Sequence, residues 1–212
     1  MTSIGFIGLG TMGGPMALNI VKGGYKVKGF DIDETLVKYH SKNNGIVAKT
    51  ASEAALDTDI LFTMLPNSDH VKSALFDENG AIENLKNGSI VIDMSTINPI
   101  ETDGIREKLK EKGISMIDAP IGRTSVEARI GKSLLMLGGE KNDIENCKFD
   151  KEEPLFLQVE IEQFGKRISI HEHLCNFYLE KQFKNSLLVR KRVLYLQPFL
   201  GDKSIFLGTI EE

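Results

Sequence analysis

Cysteine is almost missing from these 212 residues. Only Cys147 and Cys175 occur, with no metal-ligand spacing around either. That argues against a disulfide scaffold and a zinc site and fits a reducing compartment, so no metal is expected. Basic charge is not in excess either. The formal net charge of −4 leaves no electrostatic footprint for nucleic acid. No apolar run approaches the roughly 18–20 residues a bilayer-spanning helix needs, so no membrane partner is expected. The opening Met1-Thr2-Ser3-Ile4-Gly5-Phe6 lacks a basic region and turns strand-like at once, which argues against a signal peptide. The expected location is cytoplasmic.

What is present looks globular. Hydrophobic content of 41% and charged content of 26% are ordinary. The length suits one well-buried domain plus a small appendage, or one large domain. Short apolar runs alternate with helical stretches, the pattern of a parallel sheet with crossover helices. Strands are predicted over residues 4–7, 26–31, 46–48, 60–65, 89–93, 115–118 and 133–137. Helices are predicted over 12–22, 34–42, 52–56, 71–75 and 99–112. The fold class is therefore α/β, a Rossmann-type doubly wound parallel sheet.

Near Phe149 the composition changes. Residues 1–148 hold all seven methionines, all nine alanines and 17 of the 20 glycines, whereas the remaining 64 hold seven of the 11 phenylalanines. A domain boundary alone rarely removes alanine, the strongest helix former. Two units are expected: a dinucleotide-binding domain over 1–148 and a divergent tail over 149–212. The tail shows apolar alternation at Leu155, Leu157, Val159 and Ile161 and a helical pattern over 174–188. A shifted reading frame, a degraded gene or a divergent native tail would each account for it. His171-Glu172-His173 reads as a strand with exposed imidazoles, and Arg190-Lys191-Arg192 as a solvated face.

Gly8-Leu9-Gly10-Thr11-Met12-Gly13 follows a predicted strand and opens a predicted helix. In that context Gly8 permits a tight turn, Gly10 lets backbone approach a pyrophosphate, and Gly13 allows close helix–strand packing. Free amides at the helix start then face the phosphates, helped by the helix dipole. Asp31, 23 residues beyond Gly8, ends the second strand where an acidic residue reads ribose hydroxyls. A carboxylate there repels a 2′-phosphate, and Ile32 stands where an arginine would suit NADP, so NAD is the expected cofactor. A solvated turn aspartate is the plain alternative.

Ligands of open α/β sheets sit beyond the carboxyl ends of the strands. Two such ends stand out. Met64-Leu65-Pro66-Asn67 stops a strand with proline, which leaves backbone groups free beside the cofactor path unless it is an ordinary terminus. Asp93-Met94-Ser95-Thr96 places two hydroxyls where they meet a carboxamide or a substrate oxygen, or else cap the next helix.

These segments, with Asp118-Ala119-Pro120 and Gly138-Gly139, resemble the β-hydroxyacid dehydrogenase family over about residues 1–148. The resemblance implies that Thr11, Met12, Asp31, Leu65 and Thr96 contact NAD, and that the substrate is a small hydroxyacid or aldehyde. Most of the family has a small-glycine-glycine sequence after Ala-Pro. Here the stretch is Gly122-Arg123-Thr124-Ser125, similar to the branch acting on sulfolactaldehyde, in which the matching arginine grips the sulfonate. A guanidinium fork suits a tetrahedral oxyanion, and the two hydroxyls sit beside it. A structural arginine paired with a carboxylate is the alternative reading. The substrate-binding candidates are thus Arg123, Ser95, Thr124 and Ser125. The expected substrate is an anionic aldehyde, with 3-hydroxyisobutyrate or tartronate semialdehyde as carboxylate alternatives.

The resemblance also implies a catalytic lysine in a Gly-x-x-x-Lys-x-x-Asn segment and an all-helical second domain. Neither Gly165-Lys166 nor the stretch from Lys181 to Asn185 has that spacing. No catalytic residue is assigned, and a non-catalytic dinucleotide-binding chain stays open beside the enzyme. Oligomeric state is not legible.

Overall fold

A computed structural model describes residues 2–122, 124–146 and 157–160. The first strand, β1 (Ile4–Ile7), is buried at all four positions. It feeds α1 (Gly13–Lys22), which returns to β2 (Val27–Phe30). Then follow α2 (Glu34–Lys42), β3 (Ile46–Val47), α3 (Ala51–Ala55), β4 (Ile60–Thr63) and α4 (Ser68–Phe76). A 3-10 turn at Ala81–Glu83 leads to β5 (Ile90–Asp93), α5 (Pro99–Lys110) and β6 (Ser115–Asp118). The first six strands form one parallel sheet in the order β3-β2-β1-β4-β5-β6. This is the doubly wound Rossmann order, which reverses direction between β1 and β4.

The strands read as near-continuous apolar runs because helices cover both faces. On one face Phe6, Phe62, Ile92 and Ile117 pack against Met16, Ala17 and Ile20 of α1. The Phe6 and Phe62 rings stack at 5.7 Å between centroids. On the other face Ile7, Leu61, Val91 and Met116 meet Ala54 and Ala55 of α3, Val71 and Leu75 of α4, and Ile105 and Leu109 of α5. Four of the five buried positions of α1, Gly13, Met16, Ala17 and Ile20, follow the i, i+3, i+4, i+7 stripe of a helix with one apolar face, and the fifth is Asn19.

Helix entries are marked by side-chain caps. Asp33 caps α2 through Thr35 N at 2.8 Å, Thr50 caps α3 through Glu53 N at 3.0 Å, and Asn98 caps α5 with Pro99 next to it. Asn67 caps α4, which therefore begins at Ser68, three residues before the apolar pattern suggests. The apolar run to Leu65 predicts a longer strand than β4; the chain leaves the ladder after Thr63 and turns toward Ser95.

Beyond Pro120 the sequence shows only a loop before the next strand. The structure adds β7 (Ile121–Gly122), α6 (Ser125–Arg129), β8 (Ser133–Met136) and α7 (Lys141–Asn146). β7 pairs antiparallel with β8, and the Asp118 and Gly138 backbones exchange hydrogen bonds. The Asn19 side chain ties α6 to α1 by donating to Ala128 O at 2.7 Å. The apolar alternation of the tail corresponds in part to β9 (Leu157–Glu160), parallel to β8. The expected helix over 174–188, Cys147, Cys175, the two tail histidines and the Arg190-Lys191-Arg192 run lie outside the described residues. Among the described residues no helix is long and apolar enough to cross a membrane.

Candidate functional site

The site begins where the strand order reverses. Gly8 has φ of +94°, a left-handed conformation suited to glycine, and a Cβ there would stand 2.2 Å from Met64 O. The turn after β1 therefore lies directly on the turn after β4. Gly13 is equally tight, since its Cβ would stand 2.0 Å from Gly8 O. Gly10 differs: a Cβ built on it meets nothing within 4 Å. Two glycines thus serve packing, and the one between them faces open space.

The start of α1 follows at once. Its capping residue Met12 makes no side-chain bond to the helix, and the first turn carries no acidic residue. Within the first turn Pro15 has no N–H and the Gly14 amide donates to Gly10 O at 2.9 Å, so the donors facing the opening before Gly10 belong to the turn that leads into the helix, with the helix's partial positive charge behind them. Thr11 is exposed and Met12 half-buried at that opening. Such a cradle can receive a diphosphate.

Asp31 follows β2 and is half-buried. Its Oδ2 accepts the Leu9 amide at 2.6 Å and its Oδ1 the Asp33 amide at 2.9 Å. The carboxylate is thereby fixed beside the glycine turn, with one lone pair on each oxygen left for a ligand. Ile32 next to it is 89% exposed. Asp33 is committed to capping α2, and hydrogen bonding from Thr35 holds its carboxyl below the usual range.

At the end of β4 the expectation of free backbone needs correction. The Leu65 amide is not free; it donates to Ser95 Oγ at 2.9 Å. Ser95 is buried, so its hydroxyl braces the neighbouring turn, whereas Thr96 and Pro66 are exposed. Neither Ser95 nor Thr96 caps α5, a role that falls to Asn98.

Asp93, quoted in the motif without a role, lies beneath this junction. Its Oδ1 accepts Thr63 Oγ1 at 2.8 Å and the Ser95 amide at 3.0 Å. Burial pushes its carboxyl pKa up, against the lowering effect of hydrogen bonds from Ser95 and Thr63. The sequence signal was there: one polar residue, Thr63, interrupts the apolar run of β4 beside an aspartate that ends β5.

On the substrate side, Thr124 starts α6 in a capping box: its hydroxyl accepts from Val126 N, and Glu127 reaches back to both the Thr124 amide and hydroxyl. Ser125 follows as the first residue of that helix. Arg123 lies outside the described residues. The structure brings Gly8, Gly10, Thr11, Met12, Gly13, Asp31, Leu65 and Ser95 into one contiguous region, while Thr124 and Ser125 belong to the separate segment between β7 and β8.

Residues 3–150 match the family model described as the NAD binding domain of 6-phosphogluconate dehydrogenase. The chain belongs to the β-hydroxyacid dehydrogenase family. It is 43% identical over 147 residues to a 3-sulfolactaldehyde reductase of Escherichia coli (strain K12), covering 69% of this chain and 49% of that protein. It is 34% identical over 167 residues to a 2-hydroxy-3-oxopropionate reductase of the same organism, covering 79% of this chain and 53% of that protein. Among solved structures, Mycobacterium tuberculosis 3-hydroxyisobutyrate dehydrogenase with L-serine aligns with a TM-score of 0.67 at 27% identity, over 76% of this chain and 55% of that one. The chain spans about half the length of these relatives. The matched region is an NAD(P)-binding domain of a family of NAD(P)-dependent oxidoreductases.

Proposed function

We propose that this chain supplies the cofactor-binding half of an NAD(H)-dependent oxidoreductase that reduces a small anionic aldehyde, with sulfolactaldehyde as substrate and dihydroxypropanesulfonate as product. The observation that carries the cofactor part is the contrast within the glycine turn. Gly8 and Gly13 are closed by backbone, while Gly10 opens onto the uncapped start of α1. Asp31, pinned to the same turn, supports NAD over NADP, because a carboxylate accepts ribose hydroxyls and repels a 2′-phosphate.

A bound nicotinamide would supply the hydride. The chain's own residues bind and orient: amides of residues 10–13 toward the diphosphate, Asp31 toward the adenosine ribose, and Leu65, Pro66 and Thr96 along the rim of the crevice. Aldehyde reduction also requires a proton for the developing alkoxide. No described residue is assigned that role.

The choice of sulfolactaldehyde rests on Arg123, followed by Thr124 and Ser125, and on the 43% identity to a 3-sulfolactaldehyde reductase. A carboxylate substrate such as tartronate semialdehyde or 3-hydroxyisobutyrate is the second reading, supported by the 34% identity to a 2-hydroxy-3-oxopropionate reductase. The test has two arms on the purified protein. Fluorescence titration should detect NADH binding, and the NADH oxidation, very slow without an assigned proton donor, should be faster with sulfolactaldehyde than with tartronate semialdehyde. Absence of any dinucleotide binding would end the proposal. Faster turnover of the carboxylate aldehyde would transfer it to the second reading.

A further inference from the structure

The carboxyl group of Asp93 is fully buried, as is the Thr63 hydroxyl, and Ser95 is 1% exposed. Asp93 Oδ1 accepts from Thr63 on β4 and from the Ser95 amide beyond β5. Ser95 Oγ in turn accepts the Leu65 amide, two residues beyond Thr63. These bonds close a loop: Thr63 to Asp93, Asp93 to Ser95, Ser95 back to Leu65. Among the described residues Asp93 Oδ2 has no hydrogen-bond partner, and no cation contributes to the group's ionisation.

A carboxyl group in such a place costs stability when charged, because the hydrogen bonds from Thr63 and Ser95 only partly offset its desolvation. A buried apolar side chain in its place would leave both Thr63 and the Ser95 amide unpaired. The ring of bonds ends on the Leu65 amide, which shares its peptide group with the Met64 carbonyl; that carbonyl and the Leu65 side chain are what a Cβ on Gly8 would meet, at 2.2 and 3.1 Å.

We propose that Asp93 is a positioning residue for the dinucleotide: through Thr63 and Ser95 its carboxyl group locks the Leu65 backbone against the glycine turn. This rests on the cofactor reading of the same crevice. Asp93 itself touches no ligand. The clamp needs an acceptor at Oδ1 and does not need a negative charge, so an amide of the same shape can replace it. The Ser95 amide fixes the orientation of that amide, because only its oxygen can accept there.

The full chain is used as parent, with Asp93→Asn, Asp93→Ala and Thr63→Val. NADH affinity is read by fluorescence titration and the Leu65 amide by hydrogen exchange. Asp93→Ala should weaken NADH binding at least tenfold and speed Leu65 exchange at least tenfold. Asp93→Asn should stay within threefold of the parent in both. Asp93→Ala behaving like the parent overturns the proposal, and so does Asp93→Asn being as damaging as Asp93→Ala. Should Asp93→Ala fail to fold, the isosteric Thr63→Val decides: a three- to tenfold loss in both readouts supports the clamp, and parental values overturn it. If the parent binds neither NADH nor NADPH, the cofactor reading falls by itself, while Leu65 exchange still reports on the clamp.

Discussion

The Asp31 carboxylate accepts the Leu9 amide at 2.6 Å, so the residue proposed to read the ribose also braces the glycine turn. Charge and geometry are joined in one side chain. A cofactor with a 2′-phosphate would have to approach a carboxylate that the turn holds in place, with the exposed Ile32 rather than a cation beside it.

NADH is therefore expected to bind at least tenfold more tightly than NADPH, about 1.4 kcal/mol. Asp31→Asn drops the charge and keeps an oxygen for Leu9 but turns its NH2 toward the Asp33 amide, so it should narrow that preference at a small cost in stability. Asp31→Ala removes both and should weaken NADH as well. Parallel titrations with the two dinucleotides check this; equal affinities in the parent would remove the argument.

Gly10 and Gly13 make a matched pair of tests. Alanine at Gly13 drives a Cβ to 2.0 Å from the Gly8 carbonyl, a backbone atom that cannot swing aside. Overpacking of this kind costs roughly 1–3 kcal/mol, read as a lowered urea midpoint. Alanine at Gly10 meets nothing within 4 Å, so the midpoint should not move, yet the methyl group stands in the opening proposed for the diphosphate. NADH affinity should fall at least tenfold in Gly10→Ala at unchanged stability. A stable Gly10→Ala with parental affinity would place the diphosphate elsewhere.

The sheet was legible because parallel strands covered on both faces leave apolar runs, as at Ile90 to Ile92, and because Gly8, Gly10 and Gly13 stand between strand and helix. Element ends were less so. Asn67 starts α4 by capping, and nothing in the apolar periodicity marks a cap. The segment after Pro120 was missed because its helix is only five residues long, below the length at which periodicity speaks, although Thr124 and Glu127 spell a capping box. The clamp at Asp93 depends on residues 30 apart, Thr63 with Asp93 and Leu65 with Ser95, and only the sheet register brings them together.

His40 sets a pH dependence that is independent of the cofactor. Its ring is 2% exposed, Nε2 meets Val27 O at 3.1 Å, and a Cβ on Gly29 or Gly45 would stand within 2.5 Å of the ring. Burial lowers its pKa below the ordinary 6.5, with the Val27 carbonyl acting the other way. The folded state therefore binds this proton less readily than the unfolded chain does. Stability from this group is complete above the ordinary histidine pKa and declines as pH falls below it. Urea midpoints should drop between pH 7.5 and pH 5.5, and His40→Leu, though less stable, should show a smaller drop over that window. An equal drop in the variant would assign the pH dependence to other groups.

Thr124 and Arg123 are neighbours with separable expected effects. Thr124 accepts from Val126 N and pairs with Glu127, so Thr124→Ala removes an N-cap and should cost about 1 kcal/mol of stability. Substrate use should change little beyond that loss. Arg123 carries the proposed grip on the anionic group of the substrate, where charge-assisted bonds are strong and a planar donor fork fits a tetrahedral oxyanion. In a relative that spans both halves of the enzyme, replacing the matching arginine by alanine should lower kcat/KM for sulfolactaldehyde by roughly 2–4 kcal/mol, with the unfolding midpoint unchanged. Replacement by lysine should recover only part of the loss, because an ammonium keeps the charge without the fork. A variant that loses stability and keeps kcat/KM would make the arginine a structural partner of a nearby carboxylate, and the choice of a sulfonate over a carboxylate substrate would lose its chemical basis.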